Sequence, residues 1–290
     1  MNKIKIKAPA KINLFLDVTK RCKNGYHEIK TIFQAIDLFD KIIIKKAKNL
    51  KVITNIKELN KEKNIAEKAF ELLDKKYMLA SKVHIKIEKN IPMGAGLGGG
   101  SSDAAAVISG LNKLFELNLS LEDMLDLGKE LGADVNFFIN RSGIQYGEHY
   151  GEKLTPLKFR GNYYIILIYP DIHISTKDNY KKLKPSDFNN GEIHLKNMLS
   201  AIRKKNVDKL ISNIYNIFEK GTVKLYPIIK EVKEDLSARG VENALMSGSG
   251  SAVYGLIRDR IKAKKILKIL KKKYKKIYLV KPYYDGVQIV

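Results

Sequence analysis

Hydrophobic and polar residues alternate along several stretches of the chain, and this period of two predicts β-strands. The alternation is clearest at residues 3–7, where lysine and isoleucine follow one another, and at residues 83–89. Residues 8–18 favour a second extended segment, interrupted by a proline, in which Lys11 and Asn13 share one face. Further strands are predicted at residues 29–36, 42–46, 143–146, 152–157, 163–169, 277–282 and 286–290.

A spacing of three or four residues between apolar positions predicts helices elsewhere. Residues 64–77 place isoleucine, alanine and leucine on one side of such a helix. Residues 120–131 begin with a capping-box pattern at Ser120 and Asp123 and end before Gly132. Further helices are predicted at residues 176–183, 192–204, 207–220, 226–238 and 260–274.

Strands and helices are mixed in both halves of the chain. This order predicts an α+β protein of two lobes with a boundary near residues 150–162. We place the N-terminal lobe at residues 1–158 and the C-terminal lobe at residues 159–290. A chain of 290 residues is long enough to bury a large core in this way.

Residues 92–103 form the segment richest in glycine. The predicted strand at residues 83–89 leads into it, and a helix is expected to begin around Ser101, Ser102 and Asp103, which are good N-cap residues. A glycine loop that ends in a helix N-terminus directs unpaired backbone N–H groups and the positive end of the helix dipole at one point. A linker or a plain turn would not need so many glycines. The segment therefore predicts a phosphate-binding loop.

Three common nucleotide loops do not fit this segment. A Walker-type loop ends in Gly-Lys followed by Ser or Thr, whereas no lysine lies between Lys89 and Lys113. The glycine spacing within residues 94–99 matches the dinucleotide fingerprint, but another helix begins at Ser120 where a parallel strand should come first. The protein-kinase loop is excluded because no His-Arg-Asp or Asp-Phe-Gly follows.

The composition indicates in which cellular compartment the protein is expected. The start of the chain has no charged-then-apolar signal peptide, and the most apolar stretch, residues 163–169, is too short to span a bilayer. One cysteine, Cys22, excludes a disulfide framework and a cysteine-based metal site. We therefore expect a cytoplasmic protein without a membrane partner.

The net charge of +23 raises the hypothesis of a basic nucleic-acid-binding protein. The lysines are spread along the whole chain, however, and the densest block, residues 271–276, ends a predicted helix where cations complement the dipole. No motif that reads nucleic acid is present. Nucleic-acid binding stays the alternative from a different class, and we expect no nucleic-acid partner.

Three stretches, residues 9–14, 92–103 and 247–256, together resemble the three motifs of the GHMP kinases. Residues 25–28 and 132–135 make the resemblance closest to members that act on a CDP-linked acceptor. It implies a two-lobed fold, with an N-terminal lobe like domain 2 of ribosomal protein S5 and a ferredoxin-like α/β C-terminal lobe. It also implies ATP-dependent phosphorylation of the 2-hydroxyl of a CDP-linked methylerythritol, in non-mevalonate isoprenoid precursor biosynthesis.

The resemblance gives roles to the loop and to two catalytic residues. Asp134 would accept or orient the proton of the attacking hydroxyl, while Lys11 keeps Asp134 ionised and neutralises charge on the transferring phosphoryl group. The residues similar to the family's ATP-phosphate loop are Pro92, Met93, Gly94, Ala95, Gly96, Leu97, Gly98, Gly99, Gly100, Ser101, Ser102 and Asp103.

Five further residues resemble the acceptor site of the family. Asn13 is similar to a polar residue that lines it. The ring of Tyr26 would stack on cytosine, and His27 would read the edge of the base. Thr176 and Tyr180, four residues apart on a predicted helix, would close the pocket from the other lobe. Tyr180 would then form the second half of an aromatic sandwich.

Taken singly, these residues have plainer explanations. Asp134 after a glycine is typical of a turn or an N-cap, and Lys11 in a strand is typical of a solvated side chain. Tyr26 fits core packing, and His27 fits a turn. The small residues near 248 fit close packing against the first loop. The order in which the motifs occur together is what favours the kinase interpretation.

The expected reaction is direct in-line transfer without a phosphoenzyme, because the motifs hold no histidine or cysteine placed to carry phosphate. Mg²⁺ is expected with ATP and held mainly by phosphates, with Ser101 or Ser102 as an optional ligand and no dedicated protein metal site. We expect a monomer or weak homodimer. Asn136 departs from the proline that the family usually shows after Gly-Ala-Asp-Val. Another small-molecule GHMP kinase, of mevalonate or homoserine type, is the alternative within the family.

Overall fold

The computed structural model describes residues 1–60 and 64–290. The strands in these residues are β1 (Lys3–Arg21), β2 (His27–Ala47), β3 (Lys51–Thr54), β4 (Lys82–Glu88), β5 (Ile144–Glu148), β6 (Lys153–Pro156), β7 (Tyr164–Ile168), β8 (Tyr215–Asn216), β9 (Ala244–Met246), β10 (Val253–Ile257), β11 (Ile277–Val280) and β12 (Gln288–Ile289). The α-helices are α1 (Ile65–Tyr77), α2 (Gly99–Phe115), α3 (Leu121–Leu131), α4 (Val135–Ile139), α5 (Thr176–Lys182), α6 (Glu192–Arg203), α7 (Val207–Ile211), α8 (Glu219–Leu225), α9 (Pro227–Ser237) and α10 (Arg260–Leu270). Mixed strands and helices confirm the α+β prediction.

The first sheet is organised around the long antiparallel pair of β1 and β2. Its main path runs β12-β1-β2-β4-β3, with β5 also on β2, β6 on β5, and β8 on β1. Two predicted pairs of strands are each one continuous strand, because β1 continues through Pro9 and β2 runs through the predicted gap at residues 37–41. The pairing register shifts between Pro9 and Ala10, where an irregularity absorbs the missing N–H of proline.

Helices α1 to α4 pack on one face of this sheet. The side chains between the helices and the sheet form a hydrophobic core. The alternating residues Ile42, Ile44 and Ile85 face Phe70 of α1 and Leu111 of α2 in one cluster of buried side chains. The predicted helix caps at both ends of α3 are present, since Ser120 and Asp123 form a reciprocal capping box and Gly132 follows Leu131. This packing fixes α2, and with it the end of the glycine loop.

The second sheet has the order β11-β7-β10-β9 and lies between the first sheet and helices α9 and α10. Along β7, Ile165 and Leu167 pack toward Ile12 and Leu14 of β1. Ile166 and Ile168 pack on the opposite side, in the cluster that contains residues of α9 and α10. Burial on both faces explains the unbroken apolar stretch of β7.

The predicted helix at residues 207–220 is wrong. Helix α7 ends at Ile211, and β8 then pairs in parallel with Phe15 and Leu16 of β1 before α8 begins. The buried Asn216 side chain fixes the position of β8, because its Nδ2 donates to the backbone carbonyls of Met246 and Gly248 at 2.7 Å each. Met246 and Gly248 are distant from Asn216 in sequence. The local spacing of apolar residues at 207–220 therefore does not reveal these hydrogen bonds.

Residues after position 158 also reach the first sheet, through β8 and β12, while the second sheet is built wholly from them. The division into lobes at 1–158 and 159–290 stays a prediction. Within the described ranges, 1–60 and 64–290, no helix is long and apolar enough to cross a membrane.

Candidate active site

The glycine loop joins the end of β4 to the start of α2. Gly94, Gly96 and Gly98 all have positive φ angles, of 62°, 75° and 70°, which L side chains rarely adopt. The helix begins earlier than predicted: Gly98 is the N-cap residue in the left-handed conformation, and Ser101 lies within the first turn. The expectation of a side-chain cap at residues 101–103 is therefore wrong, and glycine geometry makes this end of the helix.

Contacts from β1 and from the segment at residues 247–252 hold this loop. Lys11 N donates to Leu97 O at 2.9 Å, and Ala252 N donates to Ala95 O at 3.1 Å. Ser247 Oγ donates to Gly96 O at 3.0 Å. A Cβ on Gly96 would lie 2.1 Å from Ser247 O, so only glycine fits there. The small residues at 247–252 therefore pack closely against the glycine loop. This confirms close packing, the plainer explanation of that segment.

A cavity of about 470 Å³ lies beside the loop, between β4, α1 and α2. It is lined by residues 92–101 and Asp103 of the predicted phosphate loop, together with Asn64 and Lys89. Ser102 does not line it: this residue is fully buried, and its hydroxyl has no hydrogen-bond partner. We call this space the donor cavity.

Lys11 is a buried cation at the other side of the loop. Its Nζ donates to Asn13 Oδ1 at 2.7 Å and lies 3.3 Å from Asp134 Oδ2. The same Nζ stands 5.1 Å from the ring centroid of Phe33. The shared face of Lys11 and Asn13 is therefore confirmed, and the ammonium faces the site instead of bulk water.

Asp134 stands at the N-cap position of α4, yet its side chain makes no capping hydrogen bond. The carboxylate points to Lys11 and remains 32% exposed, so it is paired but accessible. An accessible carboxylate beside a buried ammonium suits a group that orients or accepts a proton.

A second cavity, of about 320 Å³, contains Lys11, Asn13 and Asp134. It shares Gly94, Gly96 and Gly98 with the donor cavity, so the glycine loop separates the two spaces. We call this second space the acceptor cavity. A phosphoryl group bound at the loop could thus face the Lys11–Asp134 pair from the donor side.

Hydrogen bonds fix Asn13 in the lining of the acceptor cavity. Its Nδ2 donates to Thr31 Oγ1 at 2.8 Å, and its carbonyl accepts from Tyr254 OH at 2.7 Å. The Oδ1 atom bonds Lys11, as described above. Asn13 thereby fixes the position of the lysine ammonium.

His27 packs against Tyr180, which lines the acceptor cavity, but His27 itself is not part of the lining. Their ring centroids are 5.0 Å apart, and Phe218 packs edge-on against Tyr180 at 4.8 Å. Burial and the Arg21 cation lower the pKa of His27, which favours the neutral imidazole. Burial and the Asp134 carboxylate raise the pKa of Tyr180, so its hydroxyl stays protonated.

Tyr26, like His27, is not among the residues that line the acceptor cavity. Its side chain is 65% exposed, and its ring lies 5.5 Å from that of Tyr150. Thr176 does line the cavity, and its Oγ1 is 2.6 Å from Ser249 Oγ. Stacking of cytosine between Tyr26 and Tyr180 stays a prediction.

The sequence interpretation missed Tyr150 and His173. Both line the acceptor cavity. Tyr150 lies in the turn between β5 and β6, and its hydroxyl accepts from Asn24 Nδ2 at 3.1 Å. His173 approaches the loop so closely that a Cβ on Gly94 would lie 2.5 Å from its Nδ1. No local pattern distinguishes either residue, because each lies in a connection between elements and comes from a distant part of the chain.

Asn136, where the family usually has proline, is 2% exposed and its Oδ1 has no hydrogen-bond partner. The side chain packs on Gly128 of α3, where a Cβ would lie 2.1 Å from Asn136 Oδ1. A glycine at position 128 therefore makes room for this asparagine behind Asp134.

Comparisons with known proteins agree with this geometry. The family model described as "GHMP kinases N terminal domain" matches residues 64–143, and the model described as "GHMP kinases C terminal" matches residues 198–276. A 4-diphosphocytidyl-2-C-methyl-D-erythritol kinase of Lachnoclostridium phytofermentans is 42% identical over 263 residues, covering 90% of each chain.

Solved structures show the same relationship. The crystal structure of a 4-(cytidine 5'-diphospho)-2C-methyl-D-erythritol kinase is similar with a TM-score of 0.80 and 31% identity, covering 95% of this chain and 98% of the other. A homoserine kinase from Cytophaga hutchinsonii has a TM-score of 0.81 at 19% identity, covering 100% and 98%, and shares the fold alone. This chain belongs to the GHMP kinase family, and its similarity over most of its length is to the 4-diphosphocytidyl-2-C-methyl-D-erythritol kinases.

Proposed function

We propose that this protein transfers the γ-phosphoryl group of ATP to the 2-hydroxyl of 4-diphosphocytidyl-2-C-methyl-D-erythritol. The observation that carries the proposal is the pair of cavities on either side of one glycine loop, with Lys11 and Asp134 in the acceptor cavity. Identity of 42% to a relative of that name, over nearly the whole chain, supports this acceptor.

In the proposed reaction, ATP lies in the donor cavity with its phosphates on the N–H groups at the start of α2. The acceptor hydroxyl approaches Asp134, which orients it and accepts its proton as the bond to phosphorus forms. Lys11 pairs with the carboxylate and offsets the charge on the transferring group. Since the hydroxyl attacks the phosphoryl group directly, the bond to the leaving ADP breaks in line and no phosphoenzyme forms.

Mg²⁺ would enter with ATP, held mainly by phosphate oxygens, and would neutralise their charge. The part of the chain that the structure describes holds no cluster of three or more histidine, cysteine or acidic residues suited to a metal. Ser101 lines the donor cavity and offers a hydroxyl oxygen, a donor type that Mg²⁺ accepts. Ser102 is fully buried, so Ser101 is the better protein ligand of the two.

At the acceptor cavity, Tyr150 and Tyr180 offer aromatic surfaces for cytosine. Neutral His27, which packs on Tyr180 outside the lining, can both donate to and accept from the edge of the base. Thr176 and Ser249 add hydroxyls to the lining of this cavity. Such a set of groups suits a cytidine-bearing acceptor better than mevalonate or homoserine, which have no ring to stack.

The test is an ATP-dependent phosphorylation assay with 4-diphosphocytidyl-2-C-methyl-D-erythritol, mevalonate and homoserine as parallel acceptors. We expect ADP release and a phosphorylated product with the first acceptor only. Equal or faster turnover of mevalonate or homoserine would overturn the assigned acceptor. Loss of all three activities in a protein that still binds ATP would point to an acceptor outside this panel.

A further inference from the structure

Asp40, Lys89 and Asp103 form a buried ion cluster beneath the glycine loop. Lys89 Nζ contacts Asp40 Oδ2 and lies 2.6 Å from Asp103 Oδ2. The three residues are 0%, 8% and 4% exposed. Neither the catalytic pair nor the acceptor cavity includes any of them.

The cluster joins the two ends of the loop. Lys89 directly follows β4, and Asp103 lies in the second turn of α2, so the loop runs between them. Asp40 Oδ1 also accepts from the backbone N–H groups of Asn90 and Ile91, at 2.5 and 2.9 Å. The entry to the loop, its exit and β2 are thus tied together at one point.

The Lys89 backbone is fixed as well. Its N–H donates to Asn55 Oδ1 at 2.7 Å, and its carbonyl accepts from Asn55 Nδ2 at 3.1 Å. The ammonium therefore starts from a rigid strand end. Both Lys89 and Asp103 line the donor cavity, which places the cluster directly against the nucleotide space.

Fold stability alone is a weak reason for such a cluster. Buried ion pairs are often no more stabilising than apolar residues of similar volume, because the charges must be desolvated. This cluster has two carboxyl groups for one ammonium, and Asp103 Oδ1 has no hydrogen-bond partner. Burial, opposed by Lys89 and reinforced by Asp40, raises the pKa of Asp103 to about 7.

A loop rich in glycine loses much conformational entropy when it orders around phosphates. Joining its two ends in advance reduces the number of loop conformations and holds the first N–H groups of α2 in place. We propose that Asp40, Lys89 and Asp103 are positioning residues that preorganise the phosphate loop for ATP. The proposal rests on the proposed function only in taking ATP as the donor.

The sharpest variant is Asp103→Asn, which keeps the size of the side chain and leaves Lys89 paired with Asp40. We expect ATP and ADP to bind about tenfold more weakly by calorimetry, with a similar rise in KM for ATP. The KM for the acceptor and kcat at saturating ATP should change little. Asp74→Asn is the matched control, since it breaks the partly exposed Lys82–Asp74 pair away from the loop.

Two further measurements separate positioning from general stability. Amide hydrogen exchange of residues 90–102 should speed up in Asp103→Asn, while exchange in the second sheet stays unchanged. Asp40→Asn provides a second variant in case Asp103→Asn fails to fold, and it should weaken ATP binding in the same way. A folded variant with a lower melting temperature but unaltered ATP affinity and loop exchange would overturn the proposal.

These readouts also keep the two proposals apart. Calorimetry with ATP alone uses no acceptor, so it tests the cluster whatever the acceptor is. If the wild-type protein binds ATP but does not phosphorylate 4-diphosphocytidyl-2-C-methyl-D-erythritol, only the proposed acceptor fails. If turnover is normal and the cluster variants bind ATP like the wild type, only the positioning role fails.

Discussion

Lys11 Nζ lies 3.3 Å from Asp134 Oδ2, and this ion pair joins the first strand of the chain to the start of α4. The lysine is buried and the carboxylate is accessible, an asymmetry that suits the proposed division of roles. The ammonium is fixed by Asn13, whereas the carboxylate is free to meet an incoming hydroxyl. Both residues line the acceptor cavity.

Replacing Asp134 by asparagine should remove the proton acceptor while preserving shape. We expect kcat to fall by roughly 10²–10⁴, the usual contribution of a positioned acid or base. ATP affinity should be retained, because Asp134 does not line the donor cavity. Steady-state kinetics and calorimetry measure the two quantities. Asp126→Asn, which alters only an exposed pair with Lys129, is the control; near-normal turnover in Asp134→Asn would rule out its role.

Replacing Lys11 by methionine should lower turnover more than ATP affinity. The ammonium is proposed to stabilise charge that develops during transfer, so we expect a loss in kcat of roughly 10²–10³. Single-turnover kinetics at saturating ATP measures this loss. Lys5→Met, at an exposed position of the same strand, should leave the rate unchanged. Equal rates for both variants would remove Lys11 from the site.

Gly96→Ala should disrupt the contact between the two small-residue segments. Its Cβ would lie 2.1 Å from Ser247 O, at a φ of 75°. We expect a loss of about 2 kcal/mol in the free energy of unfolding, and much weaker ATP binding. Gly221→Ala is the control, since a Cβ there meets nothing within 4 Å and should be neutral or slightly stabilising. Chemical denaturation of both variants decides the matter.

Tyr150→Leu should raise the KM for the acceptor more than Tyr26→Leu does. Tyr150 lines the acceptor cavity, whereas Tyr26 is 65% exposed and packs on the outside of Tyr150. Loss of one stacking surface is worth about 1–3 kcal/mol, so the KM should rise by about tenfold. The KM for ATP should not change. The opposite order of effects would mean that cytosine stacks on Tyr26, as the family resemblance implies.

Asp17 should make stability depend on pH. This carboxyl is 2% exposed, and burial raises its pKa from 3.8 to about 6 despite hydrogen bonds from the Gly191 and Val18 amides. The folded state therefore holds a proton that the unfolded state has lost between about pH 4 and about pH 6, so its contribution to stability falls as the pH rises through this window. Asp17→Asn cannot ionise and should lack this decline.

Denaturant unfolding of the wild type and Asp17→Asn across that range measures the effect. The difference in unfolding free energy, variant minus wild type, should increase by on the order of 2 kcal/mol toward neutral pH. The amide offers one acceptor where the carboxylate offers two, which lowers the stability of the variant by a constant amount. A difference that is flat with pH would show that folding does not raise the pKa of Asp17.

The sequence by itself determined the local features of this protein. The period of two placed Lys11 and Asn13 on one face of a strand, and the density of glycine alone indicated the phosphate loop. These features depend on residues close together in the chain, where periodicity and backbone freedom act directly. The resemblance to the GHMP kinases then supplied Asp134, which no local pattern distinguishes from an N-cap.

Only the tertiary structure decided which distant residues meet. Parallel pairing of β8 with β1 divides the predicted helix at residues 207–220. Tyr26 packs beside Tyr150 and outside the cavity lining, and Lys89 joins Asp40 of β2 to Asp103 at the far end of the phosphate loop. Such contacts form between segments far apart in the chain, and their energies depend on burial and on partners that a local window does not contain.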